Sequence, residues 1–226
     1  MSLNPARGSP RGLPFALAGA ALAGALLSGC GAILVGGAIV GGAMVATDRR
    51  TTGAQVDDET IEVKSSSRMS ETFADRARID TTSYNRLVLL TGEVPTAEDK
   101  TRAEQVVARV PNVSAVVNEI TVGPLNTFGE RSKDTYITTK VKTSLVDAKD
   151  LFANSIKVTT HRGVVYLMGR VTEREATRAS EVARGVGGVV KVVRVFEVLS
   201  ESELAQTQPK TLAQPDTAAS AAVVRP

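Results

Sequence analysis

Apolar residues recur twice in the same order between residues 57 and 199, and this order predicts two copies of one small domain. Each copy begins with a helical spacing of apolar positions, continues through two runs of strand type joined by a turn, and ends with a second helix and a last strand. The first helix of the second copy carries the clearest apolar stripe, formed by Ile137, Val141, Leu145 and Ala148. The equivalent stripe in the first copy is weakened by a serine and consists of Ile61, Ser65, Met69 and Phe73.

The two copies align at an offset of 76 to 77 residues. The run 87–94 matches 164–171, and Asp58 to Ile61 matches Asp134 to Ile137. Two copies indicate a tandem domain pair, since a solenoid needs at least three repeats. We predict an α+β fold in which each domain has the order helix-strand-strand-helix-strand, with a three-stranded mixed sheet and both helices on one face. Domains of this size are marginally stable alone, so we expect the two to pack together.

The N-terminus is typical of an export signal. Arg7 and Arg11 precede an apolar run over residues 13–27, and small residues lead to Cys30, the single cysteine of the chain. The segment Leu26-Leu27-Ser28-Gly29-Cys30 resembles the lipidation site of bacterial lipoproteins, in which the cysteine thiolate takes a diacylglycerol and cleavage falls before it. The alternative is a buried structural cysteine in a transmembrane helix.

A second apolar run, residues 31–46, follows Cys30 directly. Its 16 residues fall short of the roughly 20 that a membrane-spanning helix requires, which favours a flexible tether beside the membrane. If cleavage failed, residues 13–46 could instead span the bilayer or form a hairpin. Arg49 and Arg50 come after this run, and we expect them to touch anionic headgroups at about 1 kcal/mol each at most.

These observations divide the chain into six segments. The tail is rich in Ala, Gln, Thr, Ser and Pro, a composition that predicts disorder. The predicted segments are a lipoprotein signal peptide over 1–29, the lipidated cysteine with its Gly-rich tether over 30–56, a first domain over 57–122, a linker over 123–131, a second domain over 132–199 and a disordered tail over 200–226.

The amino-acid composition limits which bound groups and partners the protein can have. One cysteine excludes a disulfide framework, and together with one histidine it leaves little for a zinc or iron–sulfur site, so we expect no cofactor and no metal. The charge is divided unequally between the domains. Residues 57–122 carry 8 basic and 12 acidic side chains, whereas residues 132–199 carry 12 basic and 7 acidic ones. The second domain is therefore the better candidate for an anionic partner.

Enzymatic and nucleic-acid functions find little support in the sequence. The single histidine, His161, falls in a predicted turn, and no phosphate-binding or nucleophile motif occurs. We therefore predict that the protein is not an enzyme. An exported chain is remote from cytoplasmic DNA, and the basic face lacks the interleaved aromatic residues on which single strands stack. We predict no nucleic-acid partner.

The repeat resembles the BON domain of exported and membrane-linked bacterial proteins. Over about residues 26–199 the chain resembles outer-membrane lipoproteins with two BON domains. The runs that carry this resemblance are 26–30, the Gly-rich 31–46, 46–50, 55–58, 134–141 and 167–176. The resemblance implies a lipid-anchored protein that faces the periplasm, binds anionic phospholipid through the first helix of its second domain, concentrates at division sites and supports envelope integrity. Tyr136 stands where that family often has tryptophan, and the tail after Leu199 is longer.

The residues of that helix allow a lipid contact independently of the resemblance. With Ile137 facing the core, Tyr136, Lys140 and Lys133 fall on one flank, and Lys142 lies on the other. An amphipathic ring and lysine ammoniums suit a phospholipid surface. Periodicity alone favours a solvated basic face with the tyrosine packed on a neighbouring domain, and the resemblance favours the lipid contact. A third hypothesis is a structural tether that acts through envelope proteins without specific lipid.

Overall fold

The computed structural model describes residues 48–207, and side chains up to residue 204. The predicted signal peptide, Cys30, the Gly-rich run and residues 208–226 lie outside the described residues. Within the described range, no helix is both long and apolar enough to cross a membrane.

The first domain follows the predicted order. Its elements are α1 (Thr52–Phe73), β1 (Arg78–Tyr84), β2 (Leu87–Val94), α2 (Ala97–Ala108), β3 (Ala115–Asn118) and β4 (Thr121–Val122). β1 runs antiparallel to β2, and both β3 and β4 run parallel to β2. The sequence predicts a single last strand over 113–122, but Asn118 Oδ1 accepts a hydrogen bond from the Ile120 amide and interrupts it. Ile120 is thereby turned into the core.

The second domain repeats this order without the interruption. Its elements are α3 (Phe128–Asp147), β5 (Ile156–His161), β6 (Val164–Val171), α4 (Glu173–Arg184) and β7 (Lys191–Val198). β5 is antiparallel and β7 parallel to the central β6. The predicted mixed three-stranded sheet is confirmed here, and in the first domain β3 and β4 share the place of the third strand.

Both helices of each domain cover the same face of its sheet. In the first domain α1 and α2 pack on β2 through side chains that are almost completely buried, including Ile61, Phe73, Val88, Leu90 and Val107. The second domain has the same arrangement, with Ile137, Val141 and Leu145 of α3 and Ala179 of α4 against Val165 and Leu167 of β6. The predicted helical stripes therefore line the two cores, except that Ala148 follows the last residue of α3 and is only half-buried.

The helix-free faces of the two sheets pack against each other. Tyr84 and Leu89 of the first domain join Tyr166, Met168 and Val195 of the second in one buried cluster. This packing explains why β2 and β6 read as nearly continuous apolar runs, since residues on both of their faces are buried. The cluster joins the two domains into one packed body.

Helix ends follow local capping chemistry. Thr96 is the N-cap of α2 and accepts a hydrogen bond from Asp99 N, and Thr172 is the N-cap of α4 and accepts one from Glu175 N. α1 begins at Thr52 and α3 at Phe128, inside the segments that the sequence assigns to the tether and the linker.

The prediction of a wholly disordered tail is wrong for residues 201–207. Ser200 and Glu203 exchange hydrogen bonds at the start of helix α5 (Glu201–Thr207), and Leu204 is buried. The cap and the buried leucine both stabilise this short helix.

Two equivalent glycines stand where a neighbouring stretch of backbone lies close to the strand. A Cβ at Gly92 would lie 2.0 Å from the carbonyl oxygen of Arg78, and one at Gly169 would lie 2.4 Å from that of Ser155. Both glycines lie within strands, and Gly92 has a positive φ of 124°. Glycine is required here by the close backbone approach.

Candidate functional site

Helix α3 is fixed to the second domain by contacts at its start and along its buried side. Thr127 and Glu130 form a capping box at its start. The buried carboxylate of Asp134 accepts hydrogen bonds of 2.8 Å from the backbone amides of Arg162 and Gly163, in the turn between β5 and β6. With its apolar stripe in the core, the helix presents its remaining face to solvent.

The residues proposed for lipid contact lie on both flanks of this helix. Tyr136 is 65% exposed and lies off the core stripe, and Lys133 is also exposed. The ammonium of Lys140 lies 5.3 Å from the centre of the Tyr136 ring and donates a hydrogen bond of 2.7 Å to the Gly187 carbonyl. Tyr136, Lys133 and Lys140 therefore share one flank, as the helical spacing predicts.

Lys142 lies on the opposite flank, beside a groove of about 420 Å³ between the two domains. Arg131 of the same helix and Asp80 of β1 also line it. Thr138 donates a hydrogen bond of 2.7 Å to the hydroxyl of Thr160 within this groove. Lys142 is thus separated from Tyr136 by the width of the helix.

Sequence reasoning missed three exposed apolar side chains around the same helix. Phe128 and Val146 lie near its two ends, and Val190, which follows α4, lines the same pocket as Lys133. The helical spacing contained the signal for the first two, because both positions lie opposite the core stripe. Val190 is placed there by the tertiary fold.

The short segment Asp48–Arg50, here called the strap, connects both domains ahead of α1. The Arg49 guanidinium forms two hydrogen bonds of 2.7 and 2.8 Å with the Glu175 carboxylate, and a third of 2.9 Å with the Arg170 carbonyl. It also lies 5.3 Å from the ring centre of Phe152. Arg49 is only 8% exposed, so it is bound to the second domain.

Arg50 binds the first domain in a similar way. Its guanidinium pairs with Asp48 and, at 2.8 Å, with Asp58 of α1, and it stacks over the Tyr84 ring at 4.3 Å. The prediction that Arg49 and Arg50 touch headgroups is therefore wrong. Both guanidinium groups are paired with carboxylates, Arg50 with the nearby Asp48 and Asp58 and Arg49 with Glu175. The Arg49 pairing joins residues 126 positions apart, which no local pattern reveals.

Hydrogen bonding lowers the pKa of two of these carboxyl groups. Burial alone would raise the pKa of Asp58, but bonds from the Ser83 hydroxyl, the Arg86 amide and Arg50 outweigh it, and the pKa lies below its usual value. Burial likewise opposes ionisation of Glu175, and the bonds from Arg49 and the Thr172 amide lower its pKa. Both groups stay charged and bound at neutral pH.

His161 has a structural place in the domain interface. It is the last residue of β5 and not part of the turn, and it is buried. Its Nε2 lies 2.9 Å from Oε1 of Glu93 in the first domain, and this oxygen accepts a hydrogen bond of 3.0 Å from Arg162 Nε. Among residues 48–207, no group of three histidine, cysteine or acidic side chains is placed to hold a metal ion.

Comparison with known proteins assigns both domains to the same family. The family model described as "BON domain" matches residues 57–124 and 133–200. The chain is 41% identical over 157 residues to "Outer membrane lipoprotein DolP" of Haemophilus influenzae, covering 69% of this chain and 81% of that protein. It is 37% identical to "21 kDa hemolysin" of Actinobacillus pleuropneumoniae, over 66% of this chain and 78% of that protein.

More distant similarities cover less or match less well. "Osmotically-inducible protein Y" of Escherichia coli is 41% identical over 35% of this chain and 40% of its own length. A solved structure of CdsD, from the type III secretion system of Chlamydia trachomatis, covers 71% of this chain and 99% of its own, with 15% identity and a TM-score of 0.28. That score is too low to support a structural comparison.

Proposed function

Because this chain belongs to the BON-domain family and carries two copies of the domain, we propose that it is a lipid-anchored outer-membrane protein that faces the periplasm and binds anionic phospholipid through its second domain. The relative from Haemophilus influenzae, which is named an outer membrane lipoprotein and is matched over 81% of its length, supports this location. Support of envelope integrity, with concentration at division sites, is part of the same proposal.

The observation that carries the lipid contact is the exposed ring of Tyr136 beside two lysines. On this proposal the exposed Tyr136 ring sits at the headgroup boundary, and the ammoniums of Lys140, which lies over that ring, and of Lys133 on the same flank meet phosphate. From residue 131 to residue 146 the one acidic residue is Asp134, whose carboxylate is buried and bound to backbone amides. The solvent face of this stretch therefore carries positive charge.

We expect Tyr136→Glu to abolish binding to vesicles of anionic phospholipid while leaving the fold intact, because the ring lies off the core. The measurement is flotation of a chain beginning after Ala46, with phosphatidylglycerol vesicles compared with phosphatidylcholine vesicles. Lys133, Lys140 and Lys142, at about 1 kcal/mol each, should together account for roughly a hundredfold in affinity. That share should decrease with added salt, because the Debye length is about 8 Å at physiological ionic strength.

The first domain supplies a matched control. Thr60 occupies the position in α1 that Tyr136 occupies in α3, on a domain that is net acidic, so Thr60→Glu should change binding little. Unchanged flotation of the Tyr136→Glu variant would contradict the proposal. If the Tyr136→Glu variant lost its circular dichroism signal, Tyr136 would be needed for folding as a core residue, and this result would contradict the proposal as well.

We further expect Cys30 to be the acylated first residue of the mature protein. Its place at the end of the export signal, as the single cysteine, motivates this expectation. Gly31 follows it, and in this family an aspartate there would favour retention in the inner membrane. Mass spectrometry of protein purified from membranes should find acyl chains on Cys30 and no residue before it. A free thiol with an intact N-terminus would contradict this prediction.

A structural tether that acts through envelope proteins is the second candidate function. Helix α1 exposes Val56 and Val63, which lie one above the other on its outer face and would suit a protein contact. Such a tether requires no lipid, so equal flotation with anionic and zwitterionic vesicles, or none with either, would favour it. We propose no catalytic activity, and none of the names of the relatives above describes an enzyme.

A further inference from the structure

Strand β7 forms an edge of the second sheet, and among residues 48–207 no strand lies beyond it. The amide of Leu199 donates a hydrogen bond of 2.9 Å to the carbonyl of Val171 in β6, so the backbone groups of Leu199 point toward β6. Because successive residues of a strand point their backbone groups to opposite sides, every second residue of β7 points its amide and carbonyl away from β6. These residues are Val192, Arg194, Phe196 and Val198, and none of these outward groups has a hydrogen-bond partner within the described range.

The other strand edges are occupied or short. At the edge of β1, the amide of Ser83 donates a hydrogen bond of 2.7 Å to Glu62, and the Ser83 carbonyl accepts one of 3.2 Å from Lys157. In the first domain, Asn118 divides the third strand into β3 and β4, of four and two residues. β5 lines the groove between the domains, where Asp80 and side chains of α3 lie beside it. Proteins block strand edges in such ways and so prevent unwanted pairing, but β7 runs uninterrupted for eight residues.

The charges of β7 make the strand complementary to an antiparallel copy of itself. Only residues whose backbone groups both point outward can exchange hydrogen bonds, so even-numbered residues must face even-numbered ones. A two-fold axis at Arg194 satisfies this condition and places Lys191 of each copy opposite Glu197 of the other. Opposite charges in directly facing positions stabilise a strand pair. An axis at Val195 would also satisfy the condition, but it would set Lys191 opposite Leu199 and leave the charges unmatched.

Exposed side chains beside the strand fit the same register. Val190 and Val198, which are 78% and 52% exposed, face each other across the pair. Glu197 has an arginine partner in its own chain, but its side chain remains 41% exposed, so a lysine can approach it. The two Arg194 side chains meet at the axis, and each guanidinium donates a hydrogen bond of 3.2 Å to Glu173 of its own chain, which compensates their like charges.

We infer that β7 is a docking edge for β7 of a second copy of this chain, which joins two second domains into one six-stranded sheet about a two-fold axis at Arg194. A second copy is favoured over an unrelated strand because β7 supplies both members of each ion pair, and the exposed valines at its two ends face each other. The interface is isologous, so it closes on itself and yields a dimer rather than a fibre. It uses neither α3 nor the lipid anchor and therefore does not depend on the proposed function.

Single cysteines test this arrangement in the purified full-length protein, with the wild type as the background for Cys30. Facing residues of an antiparallel pair lie within the Cα separation that a disulfide requires, so mild oxidation of Arg194→Cys should yield a covalent dimer. Lys191→Cys is the matched control, because its two copies would lie roughly 20 Å apart, and its dimer yield should be at least about tenfold lower. A mixture of Lys191→Cys and Glu197→Cys should again give the dimer. Equal yields from Arg194→Cys and Lys191→Cys, or no dimer from the mixture, would overturn the inference.

The backbone pairing is tested by Val192→Pro in the Arg194→Cys background, which removes an outward amide that would bond to the Phe196 carbonyl of the second copy. Proline is tolerated on an edge strand when its missing amide points to solvent, so the variant should fold, and circular dichroism checks this. Its dimer yield should fall to that of Lys191→Cys. Val192→Thr keeps the amide and the branched shape and should retain the dimer. A dimer retained with proline would overturn the inference, and the cysteine comparison decides it if this variant does not fold.

Discussion

Arg49→Ala is expected to lower the free energy of unfolding of the domain pair by about 3–5 kcal/mol. The substitution removes the two bonds to Glu175 and leaves its carboxylate, which is almost completely buried, without a counter-charge. It also removes the bond to the Arg170 carbonyl. Urea denaturation of a chain beginning after Ala46 measures the loss.

The control for this prediction is Arg86→Ala. Arg86 pairs with Asp57, but its side chain is about half exposed, so the loss should stay below about 1 kcal/mol. A second check is Arg49→Met combined with Glu175→Leu, which removes both charges and should recover most of the stability. An Arg49→Ala loss no larger than that of Arg86→Ala would show that the strap does not stabilise the body.

The difference in the free energy of unfolding between the wild type and Arg49→Ala should become smaller at acidic pH. Because the pKa of Glu175 is lowered in the folded wild type, its contribution to stability is complete above the usual value of 4.5 and is lost as pH falls through the folded pKa. In the variant, burial acts without the counter-charge and favours the protonated carboxyl. The two denaturation midpoints should therefore converge below about pH 4.5. A constant difference from pH 7 to pH 3 would contradict this account.

Val141→Asp is expected to unfold the second domain. Val141 is completely buried at the centre of the α3 stripe, and an unpaired carboxylate there costs several kcal/mol, a large share of the 5–15 kcal/mol that a domain typically has. The first domain should lose stability with it, because Leu89 packs on Tyr166 and Met168 across the interface. The amide signals of both domains in solution NMR spectra should lose the chemical-shift dispersion of the native protein.

Thr143→Asp is the matched control on the same helix. Its side chain is exposed, so the change should stay within about 0.5 kcal/mol. Native amide signals retained in the first domain of the Val141→Asp variant would show that the sheet-to-sheet packing is dispensable. A folded second domain would contradict the place of Val141 in the core.

Most of the fold could be predicted from interactions between residues that are close in sequence. The apolar stripes of α1 and α3, the N-caps Thr96 and Thr172, and the order of elements each depend on residues a few positions apart. The repeat added a check, because Asp58 and Asp134 occupy equivalent positions and both accept hydrogen bonds from backbone amides of their β-hairpin turns. Helical spacing also predicted that Tyr136 lies off the core stripe, but its exposure was not predicted, because periodicity alone favoured packing of the ring on the neighbouring domain.

By itself, the sequence determined two domains, their elements and the basic character of the second, since periodicity, capping and charge can be read from neighbouring residues. Only the tertiary structure decided that the sheets pack face to face and that Arg49 is bound by Glu175, 126 residues further along the chain. It also decided which exposed side chains line the same pocket, such as Val190 and Lys133. Contacts of this kind depend on how distant elements meet, and an arginine that becomes buried looks in sequence like one that stays in water.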